Sequence, residues 1–139
     1  MSKSPIVVVD TDVIIAQNNP DDALHQRVET VYRKLESLGA RLIYPATTVA
    51  EATTYIQRPL NSTASAYGTA QILSQEVEIV EINQQTIRSA IKYFSPTSSK
   101  KNTLFDCIVA AVAEEKQADA IFSFDNFYKK KGFKLASEL

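Results

Sequence analysis

A run of four apolar, β-branched residues, Ile6-Val7-Val8-Val9, followed at once by Asp10, restricts what this chain can fold into more than any other stretch. Such a run suits a short strand buried on both faces, as in the middle of a parallel sheet. In open parallel sheets, ligands gather at the carboxyl ends of the strands. Asp10, where this strand runs out, is therefore a candidate for chemistry. Asp12 is read as the N-cap of a helix starting near Val13.

The rest of the chain alternates between the two kinds of element. Asn19-Pro20-Asp21-Asp22 has the form of a helix start, and Leu24, Val28, Val31, Leu35 and Leu38 recur at helical steps before Gly39. Arg41-Leu42-Ile43-Tyr44 is a second strand, closed by Pro45. A helix follows from Thr47 or Thr48 to about Gln57, and another from Asn61-Ser62-Thr63 carrying Tyr67, Ala70 and Leu73. Val77 to Ile82 is a third strand, and Ile87, Ile91 and Phe94 mark the next helix. After a polar loop from Ser95 to Asn102, a strongly patterned helix runs from Thr103 to about Lys116, with Leu104, Phe105, Ile108, Val109 and Val112 inward. Asp119 to Phe124 is a fourth strand, followed by Asp125, a short basic helix and an edge strand at Phe133-Lys134-Leu135. The pattern predicts a three-layer α/β/α sandwich on a short, mostly parallel sheet with right-handed crossovers. At 139 residues the chain suits one domain, 1–139, with a single core.

Composition removes several function classes. A formal net charge of −1 gives no global argument for nucleic acid, so any basic footprint must be local. One cysteine and one histidine allow neither an internal disulfide nor a Cys/His zinc site, and the position of the lone His25 inside an amphipathic helix argues against a Ser/His/Asp or Cys/His nucleophilic pair. His25 is placed on the wet side of its helix and Cys107 as a small buried hydrophobe. None of the three glycines lies in the turn directly after the first strand, which excludes a P-loop or a dinucleotide fingerprint there. The N-terminal apolar run is too short for a signal peptide or a membrane span, so the expected location is the cytoplasm.

Four acids fall at strand ends or helix starts: Asp10, Glu51, Asp106 and Asp125. Singly, three of them have ordinary explanations. Glu51 follows Thr48 by three residues and Asp106 follows Thr103 by three, both a capping-box spacing; Asp125 can cap the helix after the fourth strand. Together they weigh differently, because a parallel sheet sends all the segments leaving its carboxyl ends to one rim. Asp106 shares its helical stripe with Val109, Ala110 and Ala113, pointing it toward the sheet. Close carboxylate pairs on that rim repel by roughly 4 kcal/mol at an effective dielectric near 20. The cluster persists only if some acids are protonated or a cation sits among them. Oxygen ligands alone suit Mg²⁺, or Mn²⁺ in its place, and carboxylate-held Mg²⁺ that keeps its waters suits phosphodiester hydrolysis.

The order of these motifs resembles the PIN-domain nucleases, especially the small toxins of the VapC type, over nearly the whole chain. The family opens with a strand ending in Asp, then Ser or Thr, then Asn, Ser or Asp; here that is Asp10-Thr11-Asp12. Its glutamate early in the helix after the second strand is matched by Glu51. Its third acid begins a small-residue helix matched by Asp106-Cys107-Ile108-Val109-Ala110-Ala111-Val112-Ala113, and its fourth follows a short strand, as in Ser123-Phe124-Asp125. The resemblance implies that Asp10, Glu51, Asp106 and Asp125 are catalytic and bind one or two Mg²⁺ or Mn²⁺ ions, with Thr11, Asp12 and Ser123 in support. It implies endonucleolytic cleavage of single-stranded or loop RNA leaving a 5′-phosphate, a neighbouring antitoxin protein as partner, and a homodimer through the helices over Asp21–Leu38 and Ser62–Ser74. Two departures stand out. Asp12 adds a charge where Asn or Ser is frequent, and Asn126 alone precedes Phe127 where the family often has two residues, sometimes with a further acid.

Lys100 and Lys101 before the Asp106 helix, and Lys129, Lys130 and Lys131 after Asp125, flank the acids and are candidates to hold RNA phosphates; solvated lysines are the equal alternative. Arg58 has the same status. Tyr55 and Tyr67 can stack bases, although core packing is the expectation for both. Two rival readings remain. A haloacid-dehalogenase-type phosphatase would use Asp10 as nucleophile and Asp12 as acid/base, since Val7 to Val13 also resembles that family's opening motif. A non-catalytic PIN-like module would bind RNA or protein without cutting.

Overall fold

The computed structural model describes residues 4–139. The Ile6–Val9 run forms β1, and Val7, Val8 and Val9 are fully buried, as two covered faces require. It pairs in parallel with β2 (Arg41–Pro45) on one side and β4 (Ala120–Phe122) on the other; β2 in turn pairs with β3 (Glu78–Val80), giving the parallel order β3-β2-β1-β4. The alternation of strand side chains divides the core in two. Val7 and Val9 pack with residues of α1 (Thr11–Gln17), α2 (His25–Ser37), α3 (Ala46–Gln57) and α4 (Thr63–Glu76). Val8 faces the opposite layer, formed by α5 (Gln84–Ala90), α6 (Leu104–Glu115) and α7 (Phe127–Lys130). The three-layer sandwich expected from the sequence is thus present. Among the described residues, no helix is long and apolar enough to cross a membrane.

Local chemistry corrects several boundaries. Asp10, not Asp12, occupies the N-cap of α1: its carboxylate accepts from the Thr11 amide at 2.8 Å, and the helix begins two residues earlier than expected. Asn19 and Asp22 do not start α2. Their side chains accept from the Asp21 and Leu24 amides at 3.2 and 2.8 Å, closing local turns, and α2 begins only at His25. His25 is half-buried rather than on the wet side, with Nδ1 donating to the Ala16 carbonyl at 2.6 Å. The fourth strand is shorter than its apolar run, because the Phe124 amide is taken by the Asp12 carboxylate at 3.0 Å. The expected last strand is a single bridge, Ile121 to Leu135.

Aromatic placement departs most from expectation. Tyr55 and Tyr67 are exposed, because α3 buries Thr48, Ala52 and Ile56 while α4 buries Ala66, Thr69 and Leu73. Phe105 is also exposed, on the first turn of α6, whereas Cys107 through Ala113 are buried on every side. Ile91 and Phe94 lie outside the core as well, since α5 ends at Ala90 and passes into a 3₁₀ turn.

Candidate active site

Each acid singled out above is placed by the element that carries it. Asp10 leaves β1 and is only 4% exposed; its Oδ1 accepts from the Thr11 amide and its Oδ2 from the Tyr128 hydroxyl at 2.9 Å. Asp12 sits in the first turn of α1 and turns toward the end of β4, where Oδ2 accepts from the Phe124 amide at 3.0 Å and the Ser123 hydroxyl at 3.2 Å. Its Oδ1 is buried with no partner. α3 starts directly where β2 ends, at Pro45, so Glu51 lies in its second turn and caps nothing. The Glu51 carboxylate instead accepts from the Thr11 hydroxyl, across from β1.

Asp106 does what its spacing from Thr103 suggested. Its Oδ2 accepts from the Thr103 amide at 3.0 Å in a capping box at the start of α6. This does not remove it from the rim: Oδ1 lies 3.4 Å from the same Tyr128 hydroxyl that holds Asp10. Asp125 closes a turn by accepting from the Phe127 amide at 2.9 Å through Oδ1, and its Oδ2 accepts from Asn102 at 3.0 Å. Asn102 also reaches Asp106 Oδ2 at 3.4 Å. Ser123 links the set further, donating to Asp12 and accepting from the Asp125 amide at 3.1 Å.

All five acids line one cleft of about 230 Å³, together with Thr11, Ile15, Lys101 and Thr103. Glu51 and Asp106 therefore face Asp10, across elements up to 96 positions apart in sequence. Among the described residues none of these carboxylates is in an ion pair. Among the described residues, Lys101 is the one cation on the cleft wall; Lys129 is directed to Glu138 at 3.6 Å, and Lys131 lies over the Phe127 ring.

The electrostatic consequence follows from burial without countercharge. Burial, then the neighbouring Asp12 and Asp106 charges, push the Asp10 carboxyl well above its ordinary range. Burial raises Asp12 to about 6, against opposition from the Phe124 amide. Glu51 and Asp106 are raised too, each mainly by burial. The Tyr128 hydroxyl, also buried and faced by Asp10 and Asp106, is driven well above the ordinary tyrosine range and stays a donor.

Tyr128 and Asn102 were not singled out from the sequence. A tyrosine in a short lysine-rich segment and an asparagine in a polar loop give no local signal. Only the return of α7 against β4 and α6 buries the first, and only the loop's approach to Asp125 engages the second.

The PIN domain model matches residues 7–134, from β1 to the segment after α7. The chain belongs to the PIN domain family. No match to a curated protein sequence reaches significance. Solved structures of similar fold include VapC20 of Mycobacterium tuberculosis, described as a Sarcin-Ricin loop cleaving toxin, at a TM-score of 0.78 and 20% identity over 91% of this chain and 95% of that one. FitAcB from Neisseria gonorrhoeae follows at 0.67 and 18% over 96% and 99%, and VapBC2 from Rickettsia felis, bound to a DNA fragment from their promoter, at 0.62 and 12% over 94% and 96%.

The donor chemistry of this PIN domain's cleft fits a hard divalent cation. It is oxygen only, it gathers partly buried carboxylates on one wall, and among the described residues one buried carboxylate oxygen has no protein donor. Among the described residues, no three acidic, histidine or cysteine side chains are already drawn into a cation cage. The acids form the walls of an open cleft, an arrangement suited to an ion that retains several waters.

Proposed function

We propose that this PIN domain, a single domain over the whole chain, is a divalent-metal-dependent endoribonuclease acting on single-stranded or loop RNA. The observation that carries the reading is the convergence of Asp10, Asp12, Glu51, Asp106 and Asp125 on one cleft, with no ion-paired cation among the described residues, in a chain of this family. Asp10, Glu51, Asp106 and Asp125 would hold Mg²⁺ or Mn²⁺, with Thr11, Asp12 and Ser123 in support. When bound, such an ion lowers the pKa of an attacking water and neutralises charge developing on the phosphate.

The protein's own groups do the positioning. Tyr128 holds Asp10 Oδ2, leaving the Asp10 carboxylate one rotamer; Thr11 fixes Glu51; Asn102 ties Asp106 to Asp125. Lys101 places positive charge on the wall where a substrate phosphate would enter. Lys100 and Lys130, both exposed, and Lys129 would act further along the strand.

The phosphatase alternative is weakened. The PIN domain model matches residues 7–134, and the acids gathered around Asp10 supply further oxygen ligands for a cation rather than a single nucleophile. The likeness to VapC20, described as a toxin that cleaves the Sarcin-Ricin loop, favours loop RNA as substrate and a toxin role. A toxic nuclease in the cytoplasm needs restraint, hence an antitoxin protein as partner. A homodimer would use α2 and α4, where Tyr67 and Ile72 are exposed.

Incubation with structured RNAs in Mn²⁺ or in EDTA tests the reading. Wild type should cleave only with metal, and Asp106→Ala should lose on the order of 10²- to 10³-fold. Asp106→Asn keeps a capping acceptor for the Thr103 amide and should fold normally while failing equally. Cleavage that survives EDTA, or an Asp106→Asn protein of full activity, would overturn the proposal. Phosphate trapped covalently on Asp10 would restore the phosphatase. Absence of any carboxylate-dependent Mn²⁺ binding would leave a non-catalytic module.

A further inference from the structure

Beside the acid cleft lies a second concavity, larger and of opposite character. It has a volume of about 420 Å³ and is lined by Ala50, Glu51, Thr54, Tyr55 and Arg58 from α3 and its end, and by Phe105 from α6. Its walls are mostly apolar, yet two of its aromatic side chains remain open to solvent: Tyr55 is 43% exposed and Phe105 41%. The fold does not require either of them there. α3 packs through Thr48, Ala52 and Ile56, and α6 packs through Cys107 to Ala113, so Tyr55 and Phe105 add nothing to the core that a polar residue would spoil.

We infer that this recess is a nucleobase subsite, in which Tyr55 and Phe105 stack an unpaired base of the nucleotide next to the phosphate held in the acid cleft. The inference rests on the nuclease reading for that phosphate. Three observations carry it. The first is continuity: Glu51 belongs to the walls of both cavities, so a chain with its phosphate at the acids has its adjoining nucleotide beside the recess. The second is surface chemistry, because an aromatic-walled recess offers π-faces that every base can stack on. The third is charge. Arg58 is among the lining residues and, among the described residues, has no carboxylate partner, so a cation stands at the recess for a polyanion.

The same chemistry limits what the recess can discriminate. The Thr54 hydroxyl donates to the Ala50 carbonyl at 2.8 Å, which leaves it only as an acceptor, and Arg58 supplies donors alone. A base would be held chiefly by stacking, with weak preference among the four and strong preference for unpaired over paired nucleotides, since a paired base cannot present its faces. A protein segment is the competing occupant of an apolar recess, and the test separates it from RNA.

The test uses the full chain and a short single-stranded RNA carrying 2-aminopurine at successive positions. On the folded, cleavage-deficient Asp106→Asn protein in Mn²⁺, one position should show stacking-dependent quenching that a further Tyr55→Ala or Phe105→Leu abolishes and Tyr55→Phe retains. With wild type in Mn²⁺, an abasic nucleotide at that position should lower kcat/KM about 10-fold, and Tyr55→Ala should cost a similar factor on intact RNA but little further on the abasic one. Tyr55→Ala that depresses both RNAs equally overturns the subsite. Asp106-dependent cleavage with no position-specific quenching overturns it too, and leaves the nuclease standing. Tyr55-dependent quenching without cleavage by wild type supports the subsite and fails the nuclease. Loss of self-association in Tyr55→Ala with RNA binding and cleavage unchanged would assign the recess to protein and overturn the inference.

Discussion

Two tyrosine–carboxylate pairs, one at each end of the sheet, show what this fold does with negative charge. At the amino end, Tyr93 donates to Glu114, which also accepts from Lys92 at 2.7 Å, in a setting open to water. Glu78 in the same region is paired with Arg41. Both carboxyls lie below their ordinary range, through the hydrogen bonds of their basic partners first. At the carboxyl end, Tyr128 donates to Asp10, but among the described residues no cation completes that pair, and the acids around it are raised by burial. One end of the sheet is electrostatically finished by its own side chains. The other has its charge left uncompensated, which is what a binding site for a cation and a phosphate requires.

The largest expected consequence of this difference is in stability without metal. A carboxyl raised on folding binds its proton more tightly in the folded than in the unfolded chain. Its contribution is fully present below the unfolded value, near 3.9, and is lost as pH rises through the folded value, about 6 for Asp12. In EDTA, denaturant unfolding should therefore show stability falling between about pH 4 and pH 7. Asp12 alone should account for about 2–3 kcal/mol of that fall. Asp12→Asn should flatten the slope by that amount, and Mn²⁺ at pH 7 should restore the wild type but restore the variant less. Identical slopes for the two proteins would show that the carboxyl end is not frustrated after all.

Next in size is the deletion of one oxygen. Tyr128→Phe keeps the buried ring among Val8 and Ile121 but leaves Asp10 Oδ2 without its donor. Positioning partners of this kind are worth 10–100-fold in metal affinity or activity. The Mn²⁺ concentration for half-maximal activity should rise about 10-fold, with a smaller change in rate at saturating metal. A variant with unchanged Mn²⁺ dependence would reduce Tyr128 to packing.

The sheet and the acid cleft were legible in the sequence for one reason. β1 has the pattern of a strand buried on both faces, which places it inside the sheet, and parallel strands bring their carboxyl ends together whatever the connections do. Asp10, Glu51, Asp106 and Asp125 were therefore locatable from spacing and topology. What supports them was not. Asp12 was read as a cap because its neighbours in sequence are a helix, whereas its partners, Ser123 and Phe124, lie more than a hundred residues away. Tyr128 and Asn102 act only through contacts that the return of the chain creates. Tyr55, Tyr67 and Phe105 were assigned inward by hydrophobicity, which cannot tell a core face from an apolar recess on the surface.

The matched change at the amino end should produce the smallest effect and so gives the comparison its scale. Tyr93→Phe removes the same hydroxyl from the same kind of bond, but Glu114 keeps Lys92 and stays in water. The Tyr93 hydroxyl is itself pushed up to about 12, by burial and then by Glu114, so it stays protonated near neutral pH. Stability should change by no more than about 0.5 kcal/mol, with no effect on Mn²⁺ dependence. If Tyr93→Phe instead shifted the metal requirement as Tyr128→Phe should, the two ends would be coupled through α6, which carries Asp106 in its first turn and Glu114 in its last. The finished and unfinished ends would then feel one field acting along that helix.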